Sequence, residues 1–249
     1  MAQPPDAGSN KDKQTPSLAR GAGTGVDAFL DALAKTPAVA TAGRRGRMIF
    51  ALDATMSRQP TWDLAQGLQA RMFETAGRLG GLDVQLVYFR GLSECRASRF
   101  VADGAGLAQL MGRIACQGGH TQIGRVLAHA RDEVRARPVG ALVYVGDAME
   151  ENADELCVRA GELALAGVKA FMFHEGGDPH AGAVFREIAR LTGGAYAAFD
   201  ARAPQTLADL LAAAAAYAAG GAAGLERQAL ERGGAARALI EQMGRGRGA

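Results

Sequence analysis

The chain has 249 residues, of which 48% are apolar and 22% are charged. This length and composition suit one full domain with tails or two small domains, and they exclude collagen-like, coiled-coil and wholly disordered proteins. The 28 basic residues nearly balance the 26 acidic ones, giving a net charge of +2. That balance excludes a polybasic binder of nucleic acid or membrane surfaces at the level of the whole chain.

The cysteines and the apolar runs predict a cytoplasmic protein. The three cysteines are odd in number and form no CxxC pair, so a reducing compartment fits better than a disulfide framework. The first residues contain no apolar segment of the secretory type. The longest uncharged run, 210–225, is alanine-rich, is interrupted by Gly220-Gly221 and is too short to span a bilayer. We therefore expect neither a membrane nor a nucleic-acid partner.

The N-terminal segment is predicted to lie outside the main domain. Residues 1–23 are rich in Pro, Gly, Ser, Gln and Lys, which is typical of a disordered arm. The sequence GAGTG at 21–25 resembles a phosphate loop, but no apolar strand precedes it, so we interpret it as a linker. Apolar residues at helical spacing predict a short helix over 26–35, within an N-terminal helix and linker at 24–44.

From residue 45 onward, short apolar runs alternate with helical patterns. The runs predict strands at 48–53, 82–89, 97–102, 139–147, 168–174 and 194–200. Such alternation is typical of βαβ units, so residues 45–219 should form a doubly wound, Rossmann-like α/β domain with a mostly parallel sheet. Two helices, at 205–219 and about 222–243, should follow the sheet. The segment 220–249 is then a C-terminal helix and tail, which either caps the domain or serves as a docking helix.

Five oxygen-bearing residues follow the predicted strands. Asp53, Thr55 and Ser57 leave the first strand at alternate positions, Thr121 precedes a predicted helix, and Asp147 ends another buried strand. In doubly wound sheets, binding sites form beyond the carboxyl ends of the strands. Hard oxygen donors with few carboxylates suit Mg²⁺. The sequence therefore predicts a magnesium site at this edge.

The same five residues, in this order, resemble the metal-ion-dependent adhesion site of von Willebrand factor A (VWA) domains. That family's pattern is Asp-x-Ser-x-Ser, followed by a distant Thr and a distant Asp. Thr55 replaces the commoner Ser, and His120 lies before Thr121 where many members have Gly-Gly-Thr. The resemblance covers about residues 45–219 and is to stand-alone bacterial cytosolic members. It implies that Thr55 and Ser57 are direct ligands, while Asp53 and Asp147 mostly hold waters around the ion.

The resemblance also implies a function without turnover. The family's ion is Mg²⁺, with Mn²⁺ also accepted, and Thr121 would be a direct or water-bridged ligand. An acidic side chain of a partner protein would complete the coordination. Similar cytosolic proteins work with AAA+ ATPases or chaperones, which makes such a system a possible partner here. The chain is thus expected to be a scaffold or adaptor with no catalytic residues.

Two other functions stay open. A haloacid-dehalogenase-like phosphatase also places an Asp after its first strand, but Thr55 stands where its second Asp should be. Between Thr121 and Asp147 the basic residues are arginines, and Lys169 comes too late for that family's lysine. An interaction protein whose site holds no metal is the other alternative. A zinc site on Cys116 and His120 would lack two further ligands.

Some neighbouring residues carry weaker expectations. We expect Met56 to be a core residue, His120 to make a loop hydrogen bond and His174 to be structural. The pair Glu150-Glu151 is interpreted as a solvated helix start, which is favourable near the positive end of a helix. Three arginines are expected to line the rim of the site and to attract an acidic partner: Arg58, Arg96 and Arg125.

Overall fold

The structure, a computed structural model, describes residues 45–200 and 202–245. The predictions for the arm, the GAGTG segment and the helix at 26–35 lie outside these residues. The described part contains six strands: β1 (Gly46–Asp53), β2 (Leu82–Arg90), β3 (Glu94–Val101), β4 (Ala141–Gly146), β5 (Lys169–Glu175) and β6 (Ala195–Phe199). It contains seven helices: α1 (Gln59–Gly77), α2 (Gly104–Met111), α3 (Ile123–Ala136), α4 (Ala153–Leu165), α5 (Pro179–Thr192), α6 (Pro204–Arg232) and α7 (Gly234–Arg245).

The strands form one sheet in the order β3-β2-β1-β4-β5-β6. All neighbours pair in parallel except β2 and β3, which are antiparallel. The predicted Rossmann-like α/β fold is therefore confirmed. The strand order reverses direction at β1, which has β2 on one side and β4 on the other. In this topology the carboxyl ends of β1 and β4 frame the natural place for a binding site.

Two hydrophobic cores lie on opposite faces of the sheet because alternate strand residues point to opposite sides. Phe50 and Leu52 face the core shared with α1, α2, α6 and α7. Ile49 and Ala51 face the core shared with α3, α4 and α5. β1 is buried along almost its whole length, as its nearly continuous apolar sequence predicts for a central parallel strand.

The C-terminal helices differ from their predicted boundaries. α6 continues past a kink at Gly221, whose φ of +62° is a left-handed conformation that favours glycine, and it ends at Arg232. A new helix, α7, then begins at Gly234. The predicted helix 222–243 is thus two segments. Leu239 of α7 is fully buried in the core on the α6 side of the sheet, so α7 covers the domain.

Among the described helices, α6 is long and apolar enough to cross a membrane by length and composition alone. However, 72% of its most apolar window is buried inside the protein. Its alanines contact the sheet, as in the core helix of a soluble domain.

Candidate metal-ion site

Three carboxylates lie at the ends of three adjacent strands. In the register of β1 with β4, Leu52 pairs with Val145, so Asp53 and Asp147 both lie at the carboxyl edge of the sheet. β5 pairs with β4 so that its last residue, Glu175, comes just beyond this register. The topology therefore brings Asp53 and Asp147 together, as predicted, and it adds a third acidic residue that the motif does not contain.

The segment after β1 turns sharply and keeps its oxygen atoms together. The backbone N–H of Thr55 donates to Asp53 Oδ1 at 2.7 Å, and the hydroxyls of Thr55 and Ser57 lie 3.4 Å apart. The N–H of Arg58 then donates to the carbonyl of Thr55, which closes a short 3₁₀ turn over Met56–Arg58. Asp53 and Thr55 are buried, whereas Ser57 is exposed. The motif thus forms one compact group of oxygen donors with an accessible end.

Asp53 is a buried carboxylate with an unusual proton affinity. Its pKa is raised to about 6: burial is the largest cause and the charge of Asp147 adds to it, while the hydrogen bonds from Thr55 and the charge of Arg58 oppose the rise. A group in this state gains from a cation placed beside it, because the cation compensates the lost hydration of the carboxylate.

Arg58 is a major departure from expectation at this site. Its side chain is only 3% exposed, so it is not a free rim residue, and that prediction is wrong. Its guanidinium lies 3.4 Å from Asp147 Oδ2 and hydrogen-bonds to Glu175, which also accepts from the Thr61 hydroxyl. Burial alone would lower the Arg58 pKa, but the bond to Glu175 and the nearby carboxylates outweigh it and raise the pKa above its ordinary value. Arg58 is therefore a permanent cation inside the site.

The loop that carries Thr121 is fixed against two neighbouring segments. The N–H of Gln117 donates to the carbonyl of Ala54 at 2.9 Å, and that of His120 donates to the carbonyl of Gly91 at 3.1 Å. A Cβ added at Gly119 would lie 2.2 Å from the Gly91 carbonyl oxygen, so only glycine allows this approach. The close contact explains the glycine, and together with the Gln117–Ala54 bond it holds the loop that leads to Thr121 against the segments that follow β1 and β2.

Glu150 and Glu151 are not simply solvated, so that interpretation is wrong. The Thr121 N–H donates to Glu150 Oε2 at 3.0 Å, and the Glu150 N–H donates to the Thr121 hydroxyl at 3.0 Å. His120 also contacts Glu150, as expected for a loop hydrogen bond. Glu151 accepts from the first amides of α3, those of Ile123 and Gly124. The pair therefore caps α3 and fixes Thr121 through reciprocal hydrogen bonds.

His174 holds the backbone of Asp147. Its Nε2 lies 3.1 Å from the Asp147 carbonyl, and its Nδ1 lies 3.0 Å from the Tyr196 hydroxyl. A carbonyl only accepts, so Nε2 carries the proton, and in the neutral ring Nδ1 accepts from Tyr196. The expected structural role of His174 thus has a specific form, because it positions a predicted site residue.

A buried hydroxyl without a partner lies next to the carboxylates. Tyr144 on β4 is 1% exposed, and among the described side chains its Oη is one of two buried polar atoms that lack a hydrogen bond. Its pKa is raised well above the ordinary value, chiefly by burial and further by the charges of Asp53, Glu151 and Asp147. An unsatisfied buried hydroxyl is costly, and such groups concentrate where a ligand, water or ion completes the site.

The donor chemistry of this edge fits a hard divalent cation. Asp53 and Asp147 supply carboxylates, and Thr55, Ser57 and Thr121 supply hydroxyls. Within the described residues no group of three or more His, Cys, Asp or Glu side chains could hold a metal, so a cation at this edge would need the hydroxyls as well as the two carboxylates. Cys116 is a poor ligand for a soft metal, because burial raises the pKa of its thiol to about 11 and the thiolate is the form that binds metal.

The rim of the site exposes apolar side chains, which the sequence did not predict. Met56 is 61% exposed, so its predicted core role is wrong, and Leu92 in the β2–β3 turn is 79% exposed. Arg96 and Arg125 do lie on the surface, where Arg96 pairs with Glu94. The accessible edge therefore combines apolar and basic side chains.

Solved structures share this fold. The chain superposes on the VWA domain of SpRpn10 with a TM-score of 0.53 at 9% identity, over 66% of this chain and 95% of that one. It superposes on human COPII-coat protein Sec24c with a TM-score of 0.50 at 13% identity, over 69% of this chain and 32% of that one. This is the fold of a VWA domain. No protein-family model and no curated protein matches the sequence.

A third similar structure contains a metal. Proximal thread matrix protein 1 from the mussel byssus was solved with zinc in its metal-ion-dependent adhesion site (MIDAS) motif. It superposes with a TM-score of 0.53 at 16% identity. The alignment covers 68% of this chain and 45% of that protein. At these identities the likeness establishes the VWA fold of the present chain and nothing finer.

Sequence reasoning missed Glu175 and Tyr144, misplaced Arg58 on the rim and gave His174 no specific role. Arg58 directly follows the motif, and Glu175 directly follows the predicted strand 168–174, so both carried a positional signal. Tyr144 and His174 each lie within a predicted strand, where nothing distinguishes a site residue from a core residue. Their roles depend on which side chains the sheet places beside them.

Proposed function

We propose that this chain is a non-enzymatic protein-interaction module that binds a divalent cation at the carboxyl edge of its sheet. Mg²⁺ is the expected ion, with Mn²⁺ as an alternative. The residues that would hold it are Asp53, Thr55, Ser57, Thr121 and Asp147. The carrying observation is the compact oxygen cluster after β1, in which the Thr55 N–H lies 2.7 Å from Asp53 Oδ1 and the two hydroxyls lie 3.4 Å apart.

The charge of the cluster supports this proposal. Asp53, Asp147 and Glu175 supply up to three negative charges at one edge, and Arg58 supplies one positive charge. The surplus of two negative charges is the charge that a divalent cation would neutralise. When bound, the ion supplies a Lewis-acidic centre whose charge the neutral hydroxyls leave largely uncancelled, and such a centre attracts carboxylates.

The partner is proposed to be a protein that presents an Asp or Glu. The exposed surroundings of the cluster suit such a partner, since Met56 and Leu92 offer apolar contact and Arg125 offers positive charge. The COPII-coat protein and the byssus matrix protein named above share this fold, which is consistent with this role. We further propose a cytoplasmic location and a partner within an AAA+ ATPase or chaperone system, with residues 45–219 as the VWA domain.

Absence of turnover is part of the proposal. A phosphatase of the haloacid-dehalogenase type would need a lysine near the nucleophilic Asp. Lys169 begins β5 and therefore lies at the amino edge of the sheet, opposite Asp53. A phosphatase activity that disappears in Asp53→Asn would contradict the interaction function.

Calorimetry and a pull-down test the proposal. The native chain should bind one Mg²⁺ or Mn²⁺, and Ser57→Ala should weaken that binding. For the native chain, partner capture in Mg²⁺ should exceed capture in EDTA. For Ser57→Ala, it should not. Absence of ion binding at millimolar concentration would overturn the metal-dependent function, and equal capture in EDTA would favour the metal-free alternative.

A further inference from the structure

Arg58 is a fixed cation at the candidate metal site, and the five-residue motif does not include it. The guanidinium is buried within the cluster of carboxylates where a divalent cation is proposed to bind. It contacts Asp147 Oδ2 at 3.4 Å and Glu175, and it lies within the electrostatic field of Asp53. A fixed cation and a bound metal ion would therefore interact with the same acidic groups.

The geometry points to Arg58 as an internal counter-cation that holds these carboxylates together without metal and lowers the affinity of the site for divalent ions. This inference rests on the proposed function, because it concerns the same site. The turn Met56–Arg58 and the start of α1 fix the backbone of Arg58, and the Thr61 hydroxyl fixes its acceptor Glu175. The guanidinium is thus held by several independent contacts.

Electrostatics gives the direction of the effect. Two cations near the same carboxylates repel each other, and the repulsion is strong where little water screens it. A guanidinium keeps its charge throughout the accessible pH range, so this repulsion cannot be relieved by deprotonation. Asp147, whose Oδ2 faces Arg58, is also less available to orient water around an ion. Each effect weakens metal binding while the metal-free fold is stabilised.

The consequence is a site whose acidic groups are partly neutralised without metal, so that it binds a metal ion more weakly than the acids alone would. A second source of negative charge would strengthen metal binding, and a carboxylate from a partner is such a source. Metal and partner would bind together more tightly than either binds alone, which is positive coupling between the two.

Substitution of Arg58 tests this inference without a known partner. Arg58→Gln removes the charge but keeps a hydrogen-bond donor, and Arg58→Lys keeps the charge. Arg71→Gln is the matched control, because Arg71 pairs with Asp209 of α6 at 3.1 Å, away from the carboxyl edge. The measurements are Mn²⁺ affinity by calorimetry and the melting temperature in EDTA and in Mn²⁺.

We expect Arg58→Gln to bind Mn²⁺ at least tenfold more tightly than the native chain, whereas the other two variants stay within threefold. In EDTA, Arg58→Gln should melt below the native chain, and Mn²⁺ should raise its melting temperature more than that of the native chain. If Arg58→Gln does not fold, the double variant Arg58→Gln/Glu175→Gln removes the buried Arg58 charge together with that of its partly buried partner and receives the same measurements.

The outcomes separate this inference from the proposed function. If the native chain binds Mn²⁺ and Arg58→Gln binds it no more tightly, the role of Arg58 is wrong and the metal site stands. If only the variants that lack the Arg58 charge bind Mn²⁺, Arg58 has the inferred role, and the proposal that the native chain binds a metal ion is wrong. If no variant binds Mn²⁺, both are wrong.

Discussion

β1 contains one buried arginine near its start and is followed by a second, and the two differ in how many acidic groups surround them. Arg47, near its start, donates to the Arg137 carbonyl at 2.7 Å, pairs with Glu133 and packs over the Phe100 ring at 3.8 Å. Arg58, after its end, pairs with two carboxylates and lies near a third. One region pairs one arginine with one acid, whereas the other collects more acids than its arginine can neutralise.

The difference shows in the direction of the two pKa shifts. Burial is the largest influence on both guanidinium groups and disfavours their charge. For Arg47 the single pair with Glu133 does not compensate, and the pKa is lowered. For Arg58 the surrounding carboxylates more than compensate, and the pKa is raised. Arg58 thus lies among more acidic groups than its single charge balances, and this surplus is the charge that the proposed cation would neutralise.

The largest expected effect is the loss of Arg58. In EDTA, Arg58→Gln should lower the free energy of unfolding by about 3–5 kcal/mol, since it removes the cation that lies near the buried Asp53 and the partly buried Asp147 and Glu175. Arg47→Gln should cost about 1–3 kcal/mol, because it breaks a charged hydrogen-bonded pair with a single acid, Glu133. Urea denaturation of both variants measures the difference. Equal costs would mean that the two arginines are equivalent structural pairs.

The second effect concerns Asp53 and has a defined pH window. Its folded pKa of about 6 lies above the unfolded value of 3.8, so the fold favours the protonated form. The metal-free chain therefore loses stability as pH rises from about 4 through 6, and Asp53→Asn removes that loss. At pH 8 in EDTA, Asp53→Asn should be more stable than the native chain by up to about 3 kcal/mol.

The control for this prediction is the same comparison at pH 4, where the two chains should be nearly equal because Asp53 is then protonated. Denaturation curves at both pH values give the difference directly. A variant that is less stable than the native chain at pH 8 would show that the Asp53 charge is already compensated without metal. Asp53→Asn should also bind Mn²⁺ more weakly, so stability and binding change in opposite directions.

The contrast between Arg47 and Arg58 also shows what could be predicted from the sequence. β1 is apolar along its length because both faces are buried, and that pattern located the strand, the sheet edge and Asp53. The order of the five motif residues predicted the VWA fold. Arg58 was misplaced because an arginine beside a loop is usually exposed, and only the neighbouring Asp147 and Glu175 show that it is buried.

A second helix boundary and an exposed apolar residue were also beyond the sequence pattern. Gly220-Gly221 predicted a break between two helices, and the backbone does break at Gly221, but the further break at Gly233, after which Leu239 still packs in the core, was not predicted. Met56 looked like a core residue because of its apolar side chain, but it occupies a short turn whose other contacts leave it outside. Tertiary packing decided both outcomes.

A smaller effect is expected at Thr121. Its hydroxyl accepts from the Glu150 N–H at 3.0 Å, and the residue is buried. Thr121→Ala therefore leaves that amide without its partner and should cost about 1–2 kcal/mol even in EDTA. Thr121→Ser keeps the hydroxyl and should cost less. If Thr121→Ala is neutral in denaturation, the hydrogen bond contributes nothing and the hydroxyl is free to serve a ligand alone.

The smallest effect on folding, and the cleanest test of metal binding, is expected at Ser57. Its side chain is exposed, and its contact with Thr55 at 3.4 Å is long for a hydroxyl hydrogen bond. Ser57→Ala should therefore change stability in EDTA by less than about 0.5 kcal/mol. At an ion concentration ten times its Kd, the native chain should gain about 1.4 kcal/mol, and the variant should gain less. A full gain in Ser57→Ala would place the ion away from this hydroxyl. Because Ser57 contributes so little to the metal-free fold, any loss of Mn²⁺ stabilisation in this variant reports on coordination, whereas a change in Mn²⁺ stabilisation at Arg58, Asp53 or Thr121 would be mixed with a change in the fold itself.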